Sequence, residues 1–305
     1  MHKWTFDDIP DQAGRTAIVT GANTGIGFET ARMLAQKGAE VIVACRDAQK
    51  GKAAVERITT LQASGRVSFA QLDLSDLESV AAFAQWFQAS HSRLDLLINN
   101  AGVMATPFGH TKQGFELQLG TNHLGHFALT QRLLPTLEAT RGARVVVLSS
   151  LMHHFGRLDL DDLNWERRPY ERQPAYHASK LANLMFVLEL QRRLTAAGSG
   201  IRVIGAHPGV TRTELTRSMN RFVRVVNPWF ASPTEGGALP TLRAATDPTA
   251  GGGSYWGPSG IFGTRGSPAV AKIAVRAQDE LIASRLFDAS EKLTGVKFQL
   301  AQHGG

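Results

Sequence analysis

Six apolar runs rich in β-branched residues, at 16–20, 40–45, 66–71, 94–99, 143–149 and 201–206, are separated by stretches in which apolar residues return every three or four positions. Short apolar runs without polar alternation predict strands buried on both faces, and the three-to-four spacing predicts amphipathic helices between them. Their regular alternation predicts an α/β fold, a doubly wound parallel sheet with helices on both faces. Two helical stretches, roughly 113–138 and 176–198, carry apolar residues on more than one face.

At 305 residues and 43% hydrophobic content, with no composition break or low-complexity run, the chain reads as one domain over 1–305 with a sizeable core. The 33 basic and 26 acidic residues leave a net charge of +7. The basic residues are spread out, with no aromatic-interleaved cluster, which argues against a nucleic-acid partner. No apolar run reaches bilayer-spanning length, and the stretch from Met1 to Asp8 lacks a signal-peptide core, so no membrane span is expected. One cysteine, Cys45, excludes an intrachain disulfide and fits a cytoplasmic location.

Candidate chemistry begins where the first strand ends. Thr16-Ala17-Ile18-Val19-Thr20 runs into Gly21-Ala22-Asn23-Thr24-Gly25-Ile26-Gly27 and then into a helix. A glycine-rich turn between a buried strand and a helix lets a pyrophosphate approach the backbone, with helix N-terminal amides as donors. Gly21, Asn23, Thr24, Gly25, Ile26 and Gly27 are therefore the expected cradle, although the spacing is Gly-x-x-x-Gly-x-Gly. Further along, Tyr176 and Lys180 stand four apart and share one helix face. A phenol with a pKa of about 10 exchanges protons poorly near neutrality, and a nearby cation favours the phenolate, so the pair reads as a tuned acid/base.

Ligands on open α/β sheets bind outside the carboxyl ends of the strands. Gly21 follows the first predicted strand, Arg46 the second, Asp73 the third, Asn99-Asn100-Ala101-Gly102 the fourth, Ser149-Ser150 the fifth and Pro208-Gly209 the sixth. At the end of the second, a carboxylate would serve the ribose 2′-hydroxyl of NAD and a guanidinium the 2′-phosphate of NADP. The chain has Cys45-Arg46 there, with Asp47 read as the N-cap of the next helix, and NADP(H) is expected over NAD(H).

With the glycine turn, Asn99-Asn100-Ala101-Gly102 and Tyr176-x-x-x-Lys180 in this order, the chain from about Gly14 to Leu242 resembles the short-chain dehydrogenase/reductase family. The resemblance implies a single Rossmann-type NAD(P)-binding domain of about seven strands, the last near 252–256, where Gly251-Gly252-Gly253 obscures the pattern. It implies a substrate-binding lid around 211–232 and a C-terminal extension, 257–305. Four residues take catalytic roles by the same likeness: Asn122 holds a water in a proton relay, Ser150 orients the substrate oxygen, Tyr176 transfers the proton, and Lys180 lowers the tyrosine pKa while binding the nicotinamide ribose. Strand alternation lets only one of Ser149 and Ser150 face the cofactor, and the resemblance selects Ser150. For the cofactor it marks Asp73 and Leu74 near the adenine, Asn99 and Ala101 behind its ribose, Gly102, and Pro208, Gly209, Val210 and Thr213 around the nicotinamide. Arg46 matches the arginine of NADP-preferring members.

The long interval from Ser150 to Tyr176, and the run from Tyr176 to Asn183, resemble the branch containing retinol dehydrogenases, the WW-domain oxidoreductase and protochlorophyllide reductases. That branch acts on bulky apolar molecules. Leu151, Met152 and Phe155 on one side, and the apolar stretch 215–230 on the other, are the expected substrate walls. His153 and His154 lie in the interval without a third ligand, so no metal is expected and both read as loop or rim histidines. The implied activity is NADP(H)-dependent interconversion of an apolar alcohol and carbonyl by hydride transfer, with Tyr176 as acid/base. Reduction of a conjugated C=C bond, or dinucleotide binding without turnover, are the alternatives. In the family the two helices at 113–138 and 176–198 pair between subunits, which implies a homodimer or homotetramer, although 268–294 could cover one face.

Overall fold

A computed structural model of the chain describes residues 3–61, 63–209, 234–260 and 263–299. The expected lid, with Val210, Thr213 and the 215–230 wall, lies outside them. The strands β1 (Thr16–Thr20), β2 (Glu40–Cys45), β3 (Val67–Gln71), β4 (Leu96–Asn99), β5 (Arg144–Leu148), β6 (Arg202–Ala206), β7 (Tyr255–Pro258) and β8 (Pro268–Val270) form one sheet in the order β3-β2-β1-β4-β5-β6-β7-β8. The first seven are parallel and β8 is antiparallel to β7. The expected count was about seven, and the eighth strand is too short to leave a pattern. It opens on Pro268, a residue tolerated at a strand's first position or on an edge. β7 starts at Tyr255, after the glycines, with Gly253 in a turn at φ +76°.

Successive side chains along each strand enter opposite layers. Ala17, Val19, Val41, Val43, Leu96 and Ile98 pack beneath α1 (Gly25–Gln36), α2 (Ala48–Thr60) and α7 (Thr234–Thr246). Ile18, Ile42, Leu97, Val145 and Val203 face the other layer, α3 (Leu77–Ser90), α5 (Gly125–Glu138), α6 (Arg172–Ala196) and α8 (Glu280–Thr294). Asp47 caps α2 by accepting from the Lys50 amide at 3.0 Å, and Asp76 caps α3 from Glu78 at 2.9 Å. The stretch predicted as one helix over 113–138 is broken: a single turn α4 (Leu117–Leu119), a wide π-type segment Gly120–Leu124, then α5.

The outward apolar faces of α5 and α6 are covered from within the chain. Phe127 and Phe186 meet Phe287 of α8 and Phe298 beyond it, with Phe127 centroids 4.9 Å from Phe287 and 5.0 Å from Phe298. Arg193 stacks 4.0 Å above Phe287 and pairs with Asp288 at 3.0 Å. Among the described residues no helix is long and apolar enough to cross a membrane.

Candidate active site

Strand order reverses direction between β1 and β4, and that switch point is where an open α/β sheet holds its ligand. Gly21 closes β1 at φ +66°, and a Cβ on it would lie 2.9 Å from the Ala101 Cα. A Cβ on Gly27 would stand 2.7 Å from the Gly21 carbonyl oxygen, so the turn tolerates no side chain at either place. Gly25 opens α1 with φ +62°. Thr24, the N-cap, makes no side-chain capping bond, so the first-turn amides are not taken by it. A backbone surface of this kind, small and donor-rich at a helix N-terminus, fits a pyrophosphate.

Thr20 ties the two sides of the switch point together. Its hydroxyl oxygen accepts from the amides of Asn100 and Ala101, both at 2.9 Å, and the Asn100 side chain donates to the Thr20 carbonyl at 2.7 Å. The hydroxyl proton has a near acceptor in His126 Nε2, at 2.9 Å. His126 then carries its proton on Nδ1 and donates to the Asn122 carbonyl at 3.0 Å. Burial pushes this imidazole down to about 3, so it stays neutral. Asn122 itself sits in the π-type segment, where its amide clamps the loop after β4. Oδ1 accepts from the Val103 amide at 2.8 Å, while Nδ2 donates to the Val103 carbonyl and to Ser179 Oγ, each at 2.9 Å.

β5 delivers the serines and α6 the tyrosine and lysine. Ser149 Oγ donates to the Lys180 carbonyl at 2.8 Å and faces α6, while Ser150 Oγ accepts from the Met152 amide at 3.3 Å and keeps its own proton for another acceptor. Lys180 Nζ donates to the Leu148 carbonyl at 3.2 Å and stands 5.8 Å from the Tyr176 ring centroid. A Cβ on Gly102 would lie 3.1 Å from Asn122 Oδ1 and 3.4 Å from Lys180 Nζ, so this glycine keeps the space over both open.

Other expected cofactor residues are placed as follows. Arg46 is exposed past the end of β2, its carbonyl accepting from Gln71 at 3.0 Å. Beside it Cys45 is buried and neutral, its thiol pushed up to about 11 by burial and then by Asp47. Asp47 is turned toward Lys50, 3.1 Å from its ammonium group. Asp73 accepts from the Ser75 amide and hydroxyl at 2.9 and 2.6 Å, with Leu74 buried next to it. Asn99 is fully buried and donates to Thr130 on α5 at 2.9 Å, so its side chain faces the helix layer and only its backbone lines the crest. Gly209, after Pro208, has φ +73° and donates to His207 Nδ1 at 3.2 Å.

The segment between Ser150 and Tyr176 folds back on the start of the Asn122 helix. Glu116, fully buried, accepts from the amides of Gln118 and Leu119 at 2.9 and 2.6 Å and from Tyr170 Oη at 3.0 Å, and its burial pushes the carboxyl up. Gln118 donates to Tyr170 Oη at 2.8 Å and accepts from Ala105, a non-glycine residue at φ +51°. Of the two histidines expected at the rim, His154 is exposed but His153 is enclosed. Thr20, His126, Glu116 and Tyr170 are site residues that sequence reasoning missed. Thr20, His126 and Tyr170 act on groups remote in sequence, and Glu116, though it caps the turn beside it, is held by the remote Tyr170, so spacing carries no trace of these ties.

Compared with known proteins, residues 15–223 match the sequence profile described as short chain dehydrogenase. The chain is 42% identical over 287 residues to retinol dehydrogenase 11 of Mus musculus, covering 93% of this chain and 87% of that one. Among solved structures it is similar to an uncharacterized protein from Mycobacterium Paratuberculosis, at a TM-score of 0.84 and 45% identity over 98% of this chain and 100% of the other. It is also similar to RhlG of Pseudomonas aeruginosa in an NADP active-site complex, at a TM-score of 0.65 and 25% identity over 84% of this chain and 96% of the other.

Proposed function

The chain belongs to the short-chain dehydrogenase family, and from that premise we propose that it is an NADP(H)-dependent oxidoreductase interconverting an alcohol and a carbonyl on an apolar substrate. One observation supports this reading: Lys180 stands over the Tyr176 ring and bonds the last carbonyl of β5, two residues before Ser150, while Gly102 keeps the space over Lys180 and Asn122 open next to the glycine turn. The nicotinamide, when bound, supplies or accepts the hydride. Everything else falls to the chain's own residues. The turn from Gly21 to Gly27 holds the pyrophosphate on backbone amides. Ser150 directs its hydroxyl proton to the substrate oxygen, Tyr176 moves a proton to or from that oxygen, and the Lys180 cation favours the phenolate.

Preference for NADP(H) rests on Arg46 with a neutral Cys45 where an acid would select NAD. The likeness to RhlG in its NADP complex supports a dinucleotide at this crest. An apolar substrate is supported by Phe155 and Phe108, which are 66% and 46% exposed on the segments flanking the serine and Asn122, and by the likeness to a retinol dehydrogenase. Apolar aldehydes, ketones and retinoid-like alcohols assayed with both cofactors test the proposal. Turnover is expected with NADP(H), and Tyr176→Phe should lower kcat by about 10²- to 10⁴-fold while NADPH still quenches intrinsic fluorescence. Full activity in that variant would overturn the assignment.

A further inference from the structure

His153 lies one turn beyond the strand end that carries Ser150, and the chemistry above makes no use of it. The side chain is 1% exposed, edge-on to Tyr255 with centroids 5.3 Å apart. Two backbone groups settle where its proton sits. Nε2 is 3.1 Å from the Ala274 nitrogen, a peptide N–H that can only donate, so Nε2 must accept. The ring proton is therefore on Nδ1, 2.6 Å from the Ser150 carbonyl oxygen, which can only accept. That same carbonyl receives the His153 amide at 3.1 Å. A second tie runs parallel to the first: Arg276 donates to the Gly156 carbonyl at 3.3 Å, at the end of the short 3₁₀ turn Leu151–Phe155. Gly156 presses that turn onto α6, since a Cβ on it would lie 2.6 Å from the His177 carbonyl oxygen.

We propose that His153 is a positioning residue for Ser150, and that the segment after β8, acting through the Ala274 amide, belongs to the framework of the active site. The inference rests on the role given to Ser150 under the proposed function. A hydroxyl that must aim its proton at a substrate oxygen is sensitive to displacement, and a misplacement of about 1 Å can cost on the order of a hundredfold in rate. The serine's own carbonyl is held by one end of an imidazole whose other end is fixed by the Ala274 amide. Burial pushes that ring down to about 4, so the bridge keeps the same tautomer at neutral pH.

Three variants separate the two ends of the bridge. Ala274→Pro removes the donor, and the native φ of −60° is one proline adopts without strain. His153→Gln can reach toward Ala274 but gives up donation to Ser150, whereas His153→Asn places an amide nitrogen near the Nδ1 position and retains it. Ala274→Pro and His153→Gln should lower kcat/KM by about ten- to a hundredfold, and His153→Asn by less, while NADPH affinity stays unchanged. Long-range proton–nitrogen NMR of the histidine rings, assigned by the loss of one ring signal in His153→Gln, gives a readout free of turnover. It should show His153 protonated on Nδ1. A ring protonated on Nε2 would overturn the bridge. Wild-type kcat/KM in both Ala274→Pro and His153→Gln would overturn the positioning role. If the native protein turned over no alcohol or carbonyl, the role assigned to His153 would fall with the functional reading, and the NMR result would still show whether the bridge exists.

Discussion

Arg46 and Cys45 divide the cofactor question between two adjacent side chains. A buried thiol held neutral offers no charge to a ribose hydroxyl, whereas the exposed guanidinium next to it offers planar donors to a phosphate. A hydrogen bond to a charged group contributes about 1.5–3 kcal/mol, which corresponds to roughly ten- to a hundredfold in affinity. Arg46→Ala should therefore weaken NADPH binding by about that factor and leave NADH nearly untouched, as read by fluorescence titration with each. Equal losses for both cofactors would remove Arg46 from the 2′-phosphate. The place of these adjacent residues could be read without coordinates, because a strand that ends at Cys45 and a helix capped by Asp47 leave only Arg46 between them. His126 could not. Its role depends on Thr20, 106 positions away, and on a ring that burial keeps neutral and the Asn122 carbonyl holds in one tautomer.

Elements whose two faces are both buried announce themselves in the apolar runs, and six of the eight strands among the described residues begin and end within two residues of the runs that predict them. The break at Gly120–Leu124 left no such mark, because a π-type segment keeps apolar residues near the same faces while opening the backbone ladder. What holds that segment is Glu116, which caps the turn before it and is itself held by Tyr170 from the long interval after Ser150. Glu116→Ala would leave two amides uncapped and the Tyr170 hydroxyl without this acceptor. A loss of about 1–2 kcal/mol is expected in urea denaturation. Amide exchange should speed up first over 117–124, and unchanged exchange there would show that the cap does not govern the Asn122 segment. Across the same layer, Phe287 joins α8 to α5 and α6. Phe287→Ala should cost about 3–5 kcal/mol by the same measurement. A loss below 1 kcal/mol would mean that α8 is held mainly by its polar ties.

At the scale of the whole molecule, the two apolar faces that the sequence shows on α5 and α6 are satisfied inside one chain, by α8 and Phe298, so a second copy meeting that surface would have to displace them. The same close packing buries four imidazoles around the sheet crest and its helix layer: His123 and His153, each pushed down to about 4 by burial, and His126 and His207, each to about 3. In the unfolded chain each titrates near 6.5. Between these values the unfolded state binds more protons than the folded one, so stability must fall as pH falls. The contribution of the neutral rings is complete above about pH 6.5 and is lost progressively below it, by about 1.4 kcal/mol per pH unit for each ring. Buried carboxylates such as Asp95, held low chiefly by Arg93 against the opposing effect of burial, weaken the fold only at lower pH. The loss between about pH 6.5 and 4 is therefore assigned to the four histidines, opposed in part by Glu116, whose carboxyl burial pushes up so that it takes its proton earlier in the folded state. Urea midpoints should be nearly flat from pH 8 to 7 and decline steeply from 6 to 4.5. Replacing His207 with Phe, which keeps an aromatic ring against Tyr255 but cannot titrate, should reduce that slope by about one proton's worth. A slope unchanged in this variant would mean that His207 already carries its proton in the folded protein.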